Sequence, residues 1–162
     1  MAGIEGEIRA AGRMAVFEAM DVLWLALVKL ANRFPGTNEH RRMLVLVDTI
    51  SIEQTRFILQ LSVVNDLLDL KPPLETILSD PHERLEADAA KKACDTLRQC
   101  RDADPRAALL ALGELLKRIR NKRAHGFKTR SGPRDGEILA AARSILAALC
   151  SAALDSAKGR DA

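Results

Sequence analysis

Apolar residues recur along most of this chain at intervals of three, four or seven, the spacing that places them on one face of an α-helix. The pattern predicts an all-α protein with about five helices, over residues 5–33, 38–70, 81–100, 105–125 and 133–155. In the first of these the apolar stripe is expected to contain Met14, Phe17, Val22, Leu25 and Val28, and in the fourth Leu109, Leu112, Leu116 and Ile119. No segment has the alternation typical of a β-strand.

Residues that begin or end helices support these boundaries. Pro35-Gly36 ends the first helix, and Lys71-Pro72-Pro73 ends the second. Asp80-Pro81 and Asp104-Pro105 each provide an N-cap followed by proline at the first helical position, and Gly126 suits the residue after a helix. Because the connections are short, we expect one domain over residues 1–162, an antiparallel up-and-down bundle with a frayed tail from about residue 156.

The composition excludes several classes of protein. The chain is 48% hydrophobic, enough for a core without metals or disulfides. Its three cysteines, Cys94, Cys100 and Cys150, are odd in number and lack CxxC spacing, so they are expected to be buried or half-buried thiols in a reducing compartment. The apolar run over residues 22–28 is too short to span a membrane. We therefore predict a cytoplasmic location, no membrane partner, and no metal or cofactor.

Charge is concentrated in one segment. The formal net charge is only +3, but residues 117–134 contain eight basic residues and no acidic one. Such a patch attracts phosphate-bearing partners. The alternative is a solvated helix end whose cations complement the helix dipole. The eight are Lys117, Arg118, Arg120, Lys122, Arg123, Lys128, Arg130 and Arg134.

Two of the three histidines follow an arginine closely enough to form a candidate pair. Arginine is so frequent in this chain that the spacing alone has little specificity. Arg33 and His40 are separated by the predicted turn, which argues against a shared site. Arg120 and His125 lie at the end of a strongly amphipathic helix, inside the basic segment. Context therefore favours the second pair.

The surroundings of that pair resemble a known family. Residues 120–126 read Arg-Asn-Lys-Arg-Ala-His-Gly, and Arg134-Asp135 opens the next helix. This run, together with the five-helix layout, resembles the HEPN superfamily of small helical domains, many of which are ribonucleases. The specific resemblance covers about residues 109–149, and the N-terminal half is similar only in being helical.

The resemblance implies an endoribonuclease that cleaves single-stranded RNA without a metal. The 2′-hydroxyl attacks the adjacent phosphate, His125 moves protons near neutral pH, and Arg120 stabilises the charge that builds on the phosphate. Asn121 would support the phosphate or the backbone. Flanking phosphates would be bound by Lys122, Arg123, Lys128 and Arg130.

The resemblance also implies a setting and partners. Phage defence or a toxin–antitoxin pair is the expected setting, with an antitoxin or defence-system protein as a partner. In the toxin branch a tyrosine two residues beyond the histidine is the target of a nucleotidyl-transferring antitoxin, but Phe127 stands at that position here. The working unit is expected to be a homodimer, held by apolar side chains for which the candidates are Leu110, Leu139 and Leu146.

Three alternatives remain open from the sequence. Arg120 and His125 lie about 140° apart on an ideal helix, so they converge only if the helix unwinds before His125. Arg120 could simply cap the helix while His125 packs over it, which would leave a non-catalytic module that binds RNA or a protein through its basic end. Asp135 could orient Arg120, or serve only as an acid at a helix N-terminus.

Overall fold

The computed structural model describes residues 1–72, 79–124 and 133–161, without the side chains of residues 123, 124 and 161. The described residues form eight α-helices and no strand, which confirms the all-α class. The helices are α1 (Ala2–Ala11), α2 (Val16–Ala31), α3 (Glu39–Thr49), α4 (Ile52–Gln60), α5 (Ser62–Asp69), α6 (Pro81–Cys100), α7 (Pro105–Ala124) and α8 (Pro133–Asp161). The predicted bundle of about five helices is not confirmed.

The extra helices arise from breaks in the two longest predicted helices. Residues 5–33 divide at Ala15, whose ψ of 151° is extended. Residues 38–70 divide at Ile50 and again at Leu61, with ψ of 131° and 134°. Ser51 then caps α4, because its hydroxyl accepts a hydrogen bond from the Gln54 amide at 3.2 Å. No proline or glycine marks either of these last two breaks, which explains why the apolar spacing alone missed them.

The predicted starts of α6 and α7 are confirmed. The Asp80 carboxylate accepts hydrogen bonds from the amides of His82 and Glu83 at 2.8 and 3.4 Å. Asp104 likewise accepts from the Ala107 amide at 3.1 Å. The short link between these helices places them side by side, and they are the most extensively packed pair in the described structure.

The end of α8 was predicted to fray from about residue 156, and that prediction is wrong. The helix continues to Asp161. The Ser156 hydroxyl donates to the Thr49 carbonyl at 2.7 Å, Ala157 is buried, and Arg160 lies 4.7 Å from the centre of the Phe34 ring. These contacts with the ends of α2 and α3 order the last turns, so the polar composition of the tail misled the prediction.

The buried residues confirm the apolar stripe predicted for α7 but not the one predicted for α2. All four α7 residues of the predicted stripe are at most 1% exposed. In α2, by contrast, Phe17 and Leu25 are 44% and 53% exposed, and the buried face is a different one. Because α2 is apolar on most of its circumference, its sequence pattern does not select the buried side. The large side chains that α2 does bury are Met20, Leu23, Leu27 and Leu30.

Helix α8 is the central support of the fold. It packs against α2 and α5 and also contacts α1, α3, α4 and α7. Within the described residues it is the one helix long and apolar enough to cross a membrane, although 61% of its most apolar window is buried inside the protein. That degree of burial is typical of the core helix of a folded domain.

Candidate functional site

The basic segment lies at the C-terminal end of α7 and the start of α8. Residues 117–124 are helical, and Arg134 stands in the first turn of α8. His125, Lys128 and Arg130 lie outside the described residues, as do Gly126 and Phe127. Arg123 belongs to the last described turn of α7, but its side chain is not described. The geometry of the site is therefore given by Arg120, Asn121 and Lys122 and by what contacts them.

The side chain of Arg120 is partly exposed at this helix end, although its Nε is buried. Its side chain is 32% exposed, and its Nε lies 3.6 Å from the Oδ1 of Asp21 on α2. Its Nη1 donates to the Oδ1 of Asn121 at 3.3 Å. The charge of Arg120 is thus oriented by an acid on a neighbouring helix and by an amide on its own helix, while part of the group stays open to solvent.

Asp21 was missed by the sequence reasoning. It is the one acid between Glu18 and Lys29, within the most apolar part of α2, and its side chain is 44% exposed. An acid inside an otherwise apolar helix is an anomaly that invites a search for a cationic partner. The sequence contained that signal, but it could not reveal that α2 and the end of α7 are neighbours.

From the sequence we expected Lys122 to bind RNA phosphates, but the structure encloses its side chain within the protein. Its side chain is only 8% exposed and forms an ion pair with Glu83, which is also 8% exposed, at the start of α6. Burial lowers the pKa of the Lys122 ammonium, while the carboxylates of Asp80 and Asp135 oppose that change. The structure therefore places Lys122 among acids inside the protein, where it joins the ends of three helices.

Arg134 and Asp135 complete this internal junction. Arg134 donates from Nε to the Leu70 carbonyl at 2.9 Å and from Nη2 to the Lys71 carbonyl at 2.6 Å. Lys71 has a φ of 51°, the left-handed conformation that often follows a helix, so Arg134 stabilises the end of α5. Its Nη1 also contacts Asp135, which is 5% exposed, at 3.3 Å. The described contacts of Asp135 are thus with this junction, and the acid described beside Arg120 is Asp21.

Arg118 is also engaged within the protein. Its Nη1 lies 2.7 Å from the Oε2 of Glu86 on α6, and its Nη2 lies 3.7 Å from the Oε2 of Glu114. Three of the eight cations of the segment, Arg118, Lys122 and Arg134, therefore have structural partners. The uniform positive patch expected from the sequence is reduced. Arg134 is the more exposed at 46%, but it is bound to the end of α5, so Arg120, at 32%, is the most exposed described arginine of the segment that does not cap another helix.

His40, the histidine of the other candidate pair, lies in a different part of the structure. His40 lies near the start of α3, where its Nδ1 is 3.8 Å from the Oε1 of Glu114. Glu114 is more than one helical turn before Arg120 on α7. His40 thus lies over the middle of α7, and no contact with Arg120 is described.

The burial of the three cysteines is as the sequence predicted. Cys94 and Cys150 are buried and Cys100 is half-buried, all as free thiols. Burial raises the pKa of Cys150 to about 12, and its thiol contacts the Leu23 carbonyl at 3.2 Å. Among the described residues no group of three or more His, Cys, Asp or Glu side chains is arranged to hold a metal ion.

Two of the three leucines proposed for a dimer interface are unavailable. Leu139 and Leu146 are 1% and 0% exposed, because they face the core of their own chain. Leu110 is half-buried. The prediction that Leu139 and Leu146 form an interface is wrong, and the error comes from assigning α8 an outer apolar face although neighbouring helices cover it.

An exposed apolar pair instead lies beside Arg120. Phe17 and Leu25 each stand one helical turn from Asp21, on the same face of α2. Large exposed side chains at such a spacing mark a candidate contact surface. The acid that pairs with Arg120 is therefore flanked by the two largest exposed apolar side chains of α2.

Comparison of the chain with family models, with curated proteins and with solved structures finds no match.

Proposed function

We propose that this protein is a metal-independent endoribonuclease that cleaves single-stranded RNA, with Arg120 and His125 as its catalytic residues. The observation that carries the proposal is the orientation and partial exposure of the Arg120 side chain. It is oriented by Asp21 and Asn121 yet 32% exposed, next to the segment that contains His125. Because its Nε is buried beside Asp21, this guanidinium would present its two Nη groups to the phosphate oxygens.

The reaction assigns each group a role. The 2′-hydroxyl of the RNA gives up its proton and its oxygen attacks the adjacent phosphorus. The bond to the 5′-oxygen of the next nucleotide breaks, and that oxygen receives a proton, leaving a 2′,3′-cyclic phosphate and a 5′-hydroxyl. His125 moves these protons, because imidazole titrates near neutral pH. Arg120 stabilises the charge on the non-bridging oxygens, and Asn121 holds the guanidinium in place.

RNA binding is assigned to fewer residues than the sequence suggested. Arg123, Lys128 and Arg130 are proposed to bind the flanking phosphates. Lys122 has a different proposed role, since its ammonium group is enclosed and paired with Glu83. By anchoring the end of α7 to α6, it would fix the position from which the chain continues to His125.

A homodimer is the proposed working unit, with α2 as its contact surface. Phe17 and Leu25 supply exposed apolar area, and Asp21 between them contacts Arg120. A two-fold contact through this face would bring both copies of Arg120 close to the symmetry axis. Two facing sites would form a cleft that binds phosphates on both sides of the cleaved bond, which one helix end cannot do alone.

The proposed setting is the cytoplasm, in phage defence or a toxin–antitoxin system, with an antitoxin or a defence-system protein as a further partner. The resemblance of residues 109–149 to HEPN domains supports this assignment. Phe127 lacks a hydroxyl group, so neutralisation by nucleotidyl transfer to that position is not proposed.

A non-catalytic module that binds RNA or a protein through its basic end is the second candidate. The observation that favours it is the 3.6 Å approach of Asp21 to Arg120, which offsets the charge needed at a reacting phosphate. Purely ionic binding would leave RNA intact and would weaken steeply with salt.

One experiment separates the two candidates. The purified protein is incubated with a mixed-sequence single-stranded RNA, and with DNA of the same sequence, in excess chelator. The nuclease produces RNA fragments with cyclic phosphate ends and leaves the DNA intact, because DNA has no 2′-hydroxyl. RNA that is retained on a gel but never cut would favour the binding module. Cutting that requires added magnesium would contradict the proposed mechanism.

A further inference from the structure

An elongated groove of about 640 Å³ opens between α3, α6 and α7, and its lining includes Lys117 and Arg118, the first two cations of the basic segment. Its volume lies within the range of about 300–1,000 Å³ that is typical of small-molecule sites. The α7 residues that line it run from Ala107 to Arg118, which corresponds to about 16 Å of helix. The groove is therefore long enough for a chain-like ligand.

The groove is apolar at one end and charged at the other. Along α7 its lining changes from Ala107 and Leu110 to Glu114 and Lys117. Along α3 the order is reversed, as expected for a helix that crosses in the opposite sense: His40 lies by Glu114, 3.8 Å away, and Met43 follows towards the apolar end. A ligand that matches this lining has a hydrocarbon body and one polar head.

The charges at the polar end favour an anionic head. Glu114 is shared between Arg118 and His40. Glu39 lies in the first turn of α3, where the positive end of the helix dipole offsets it. In the part of the chain that the structure describes, Lys92 and Lys117 line the groove and have no acidic partner.

A further observation indicates unfilled space. Gly113 lines the groove midway, and a Cβ added there would meet no atom within 4 Å. Glycine is a poor helix former, so its presence inside α7 is explained if the space beside it is used.

We propose that this groove binds a free single-chain aliphatic monocarboxylate. The hydrocarbon chain lies against Met43 and Leu110, past Gly113, and the carboxylate is bound by Lys92 and Lys117 with Arg118 behind them. The site is separate from the ribonuclease proposal and does not depend on it. The test below distinguishes this ligand from three other occupants: a second copy of this chain, a partner helix or a membrane surface.

The test measures binding of octanoate, decanoate and dodecanoate to the full chain by titration calorimetry, below the concentration at which each aggregates. Affinity should rise by about fourfold for each added methylene group until the groove is full. Decyltrimethylammonium, with an alkyl chain one carbon longer and a cationic head, should bind at least tenfold more weakly than decanoate.

Variants locate the site. Gly113→Leu fills the groove from an open position and should abolish decanoate binding while stabilising α7, so loss of folding cannot explain the result. Gly159→Leu, at another helical position with no atom within 4 Å, is the matched control and should bind normally. Lys92→Gln and Lys117→Gln should each weaken decanoate by about two- to fivefold, whereas decyltrimethylammonium should bind no more weakly than before, because the charge that repels its head is removed.

Three results would overturn the proposal. One is the absence of saturable decanoate binding. Another is equal binding to the Gly113→Leu variant. The third applies to a protein that does not bind decanoate. If Gly113→Leu then shifts the protein from dimer to monomer, the groove is assigned to a second copy. If Gly113→Leu instead loses binding to anionic vesicles, the groove is assigned to a membrane.

Discussion

Arg120 and Lys122 stand two residues apart on α7, in the same basic run, yet the fold uses them in opposite ways. Arg120 is 32% exposed and lies 3.6 Å from Asp21 on α2. Lys122 is 8% exposed and paired with Glu83 on α6. Residues two apart on a helix point in very different directions, so a run of cations in a helix cannot form one surface. One cation is available to a ligand, and the other belongs to the interior.

The difference has an energetic counterpart. A partly exposed ion pair such as Arg120–Asp21 contributes less to stability than an enclosed one, because water still solvates part of both side chains. Removing the partner of an enclosed charge lowers the free energy of unfolding strongly, because the remaining charge is neither solvated nor paired. Substitutions at the two positions should therefore separate function from folding, and the expected effects can be ranked from the largest to the smallest.

The largest effect is expected on RNA cleavage. Arg120→Ala and His125→Ala should each reduce the cleavage rate by about 10²–10⁴-fold, the contribution typical of a general acid–base group. The melting temperature of Arg120→Ala should remain close to that of the parent protein, because this side chain is partly exposed. Rates are measured with a labelled single-stranded RNA, and stability by circular dichroism.

His40→Ala is the matched control for the histidine. His40 is exposed and lies beside Glu114 over the middle of α7, so its loss should leave cleavage unchanged. A damaging His40→Ala and a silent His125→Ala would show that the wrong Arg–His pair has been selected.

The next largest effect is expected on stability. Lys122→Met should lower the free energy of unfolding by about 3–5 kcal/mol, since it leaves the carboxylate of Glu83 enclosed without its cation. The double variant Lys122→Met/Glu83→Gln should recover part of that loss, because the stranded charge is removed. Urea denaturation measures both.

Lys117→Met provides the comparison at a half-buried position of the same helix that has no described acidic partner. It should change the free energy of unfolding by less than about 0.5 kcal/mol. If Lys122→Met were equally mild, the internal junction of helix ends would not be a stabilising element.

These contrasts show which parts of the molecule could be predicted from the sequence. The starts of α6 and α7 could be predicted, because Asp80-Pro81 and Asp104-Pro105 act through local hydrogen bonds. The break before α4 has a local signal that the prediction did not use: Ser51 followed three residues later by Gln54 fits the capping-box spacing.

The errors have a tertiary cause. The buried side of α2 depends on α8, which covers it, and a helix that is apolar on most faces does not reveal its partner. In the same way, nothing near Lys122 in sequence indicates Glu83, thirty-nine positions earlier on α6. The candidate pair was found from the local run of residues 120–126, whereas Asp21 required the fold.

A smaller effect is expected on assembly. Leu25→Glu places a charge on the exposed apolar face of α2 and should weaken the proposed dimer by at least about tenfold. Phe57→Glu, at a still more exposed apolar position on α4, should leave the dimer intact. Sedimentation or light scattering over a range of protein concentrations distinguishes them.

Salt adds a second criterion for the same contact. Screening weakens the repulsion between the two basic ends but also weakens the attraction between each end and RNA. Raised salt should therefore tighten the dimer while it loosens RNA binding. A chain that remains monomeric at tens of micromolar and still cleaves RNA would contradict the dimer.

The smallest effect concerns an exposed ion pair that contrasts with Lys122 and Glu83. Lys158 near the end of α8 donates to the Oε2 of Glu5 on α1 at 2.7 Å, and this hydrogen bond lowers the pKa of the Glu5 carboxyl. Because the folded-state pKa is below the unfolded one, the stabilisation is present above the unfolded pKa and is lost as pH falls through the folded value. Glu5→Gln should therefore be slightly less stable than the parent near pH 7 and equal to it at strongly acidic pH. High salt should also erase the difference near pH 7, since both side chains are solvated. A difference that survives both low pH and high salt would mean that Glu5 stabilises α1 by packing rather than by charge.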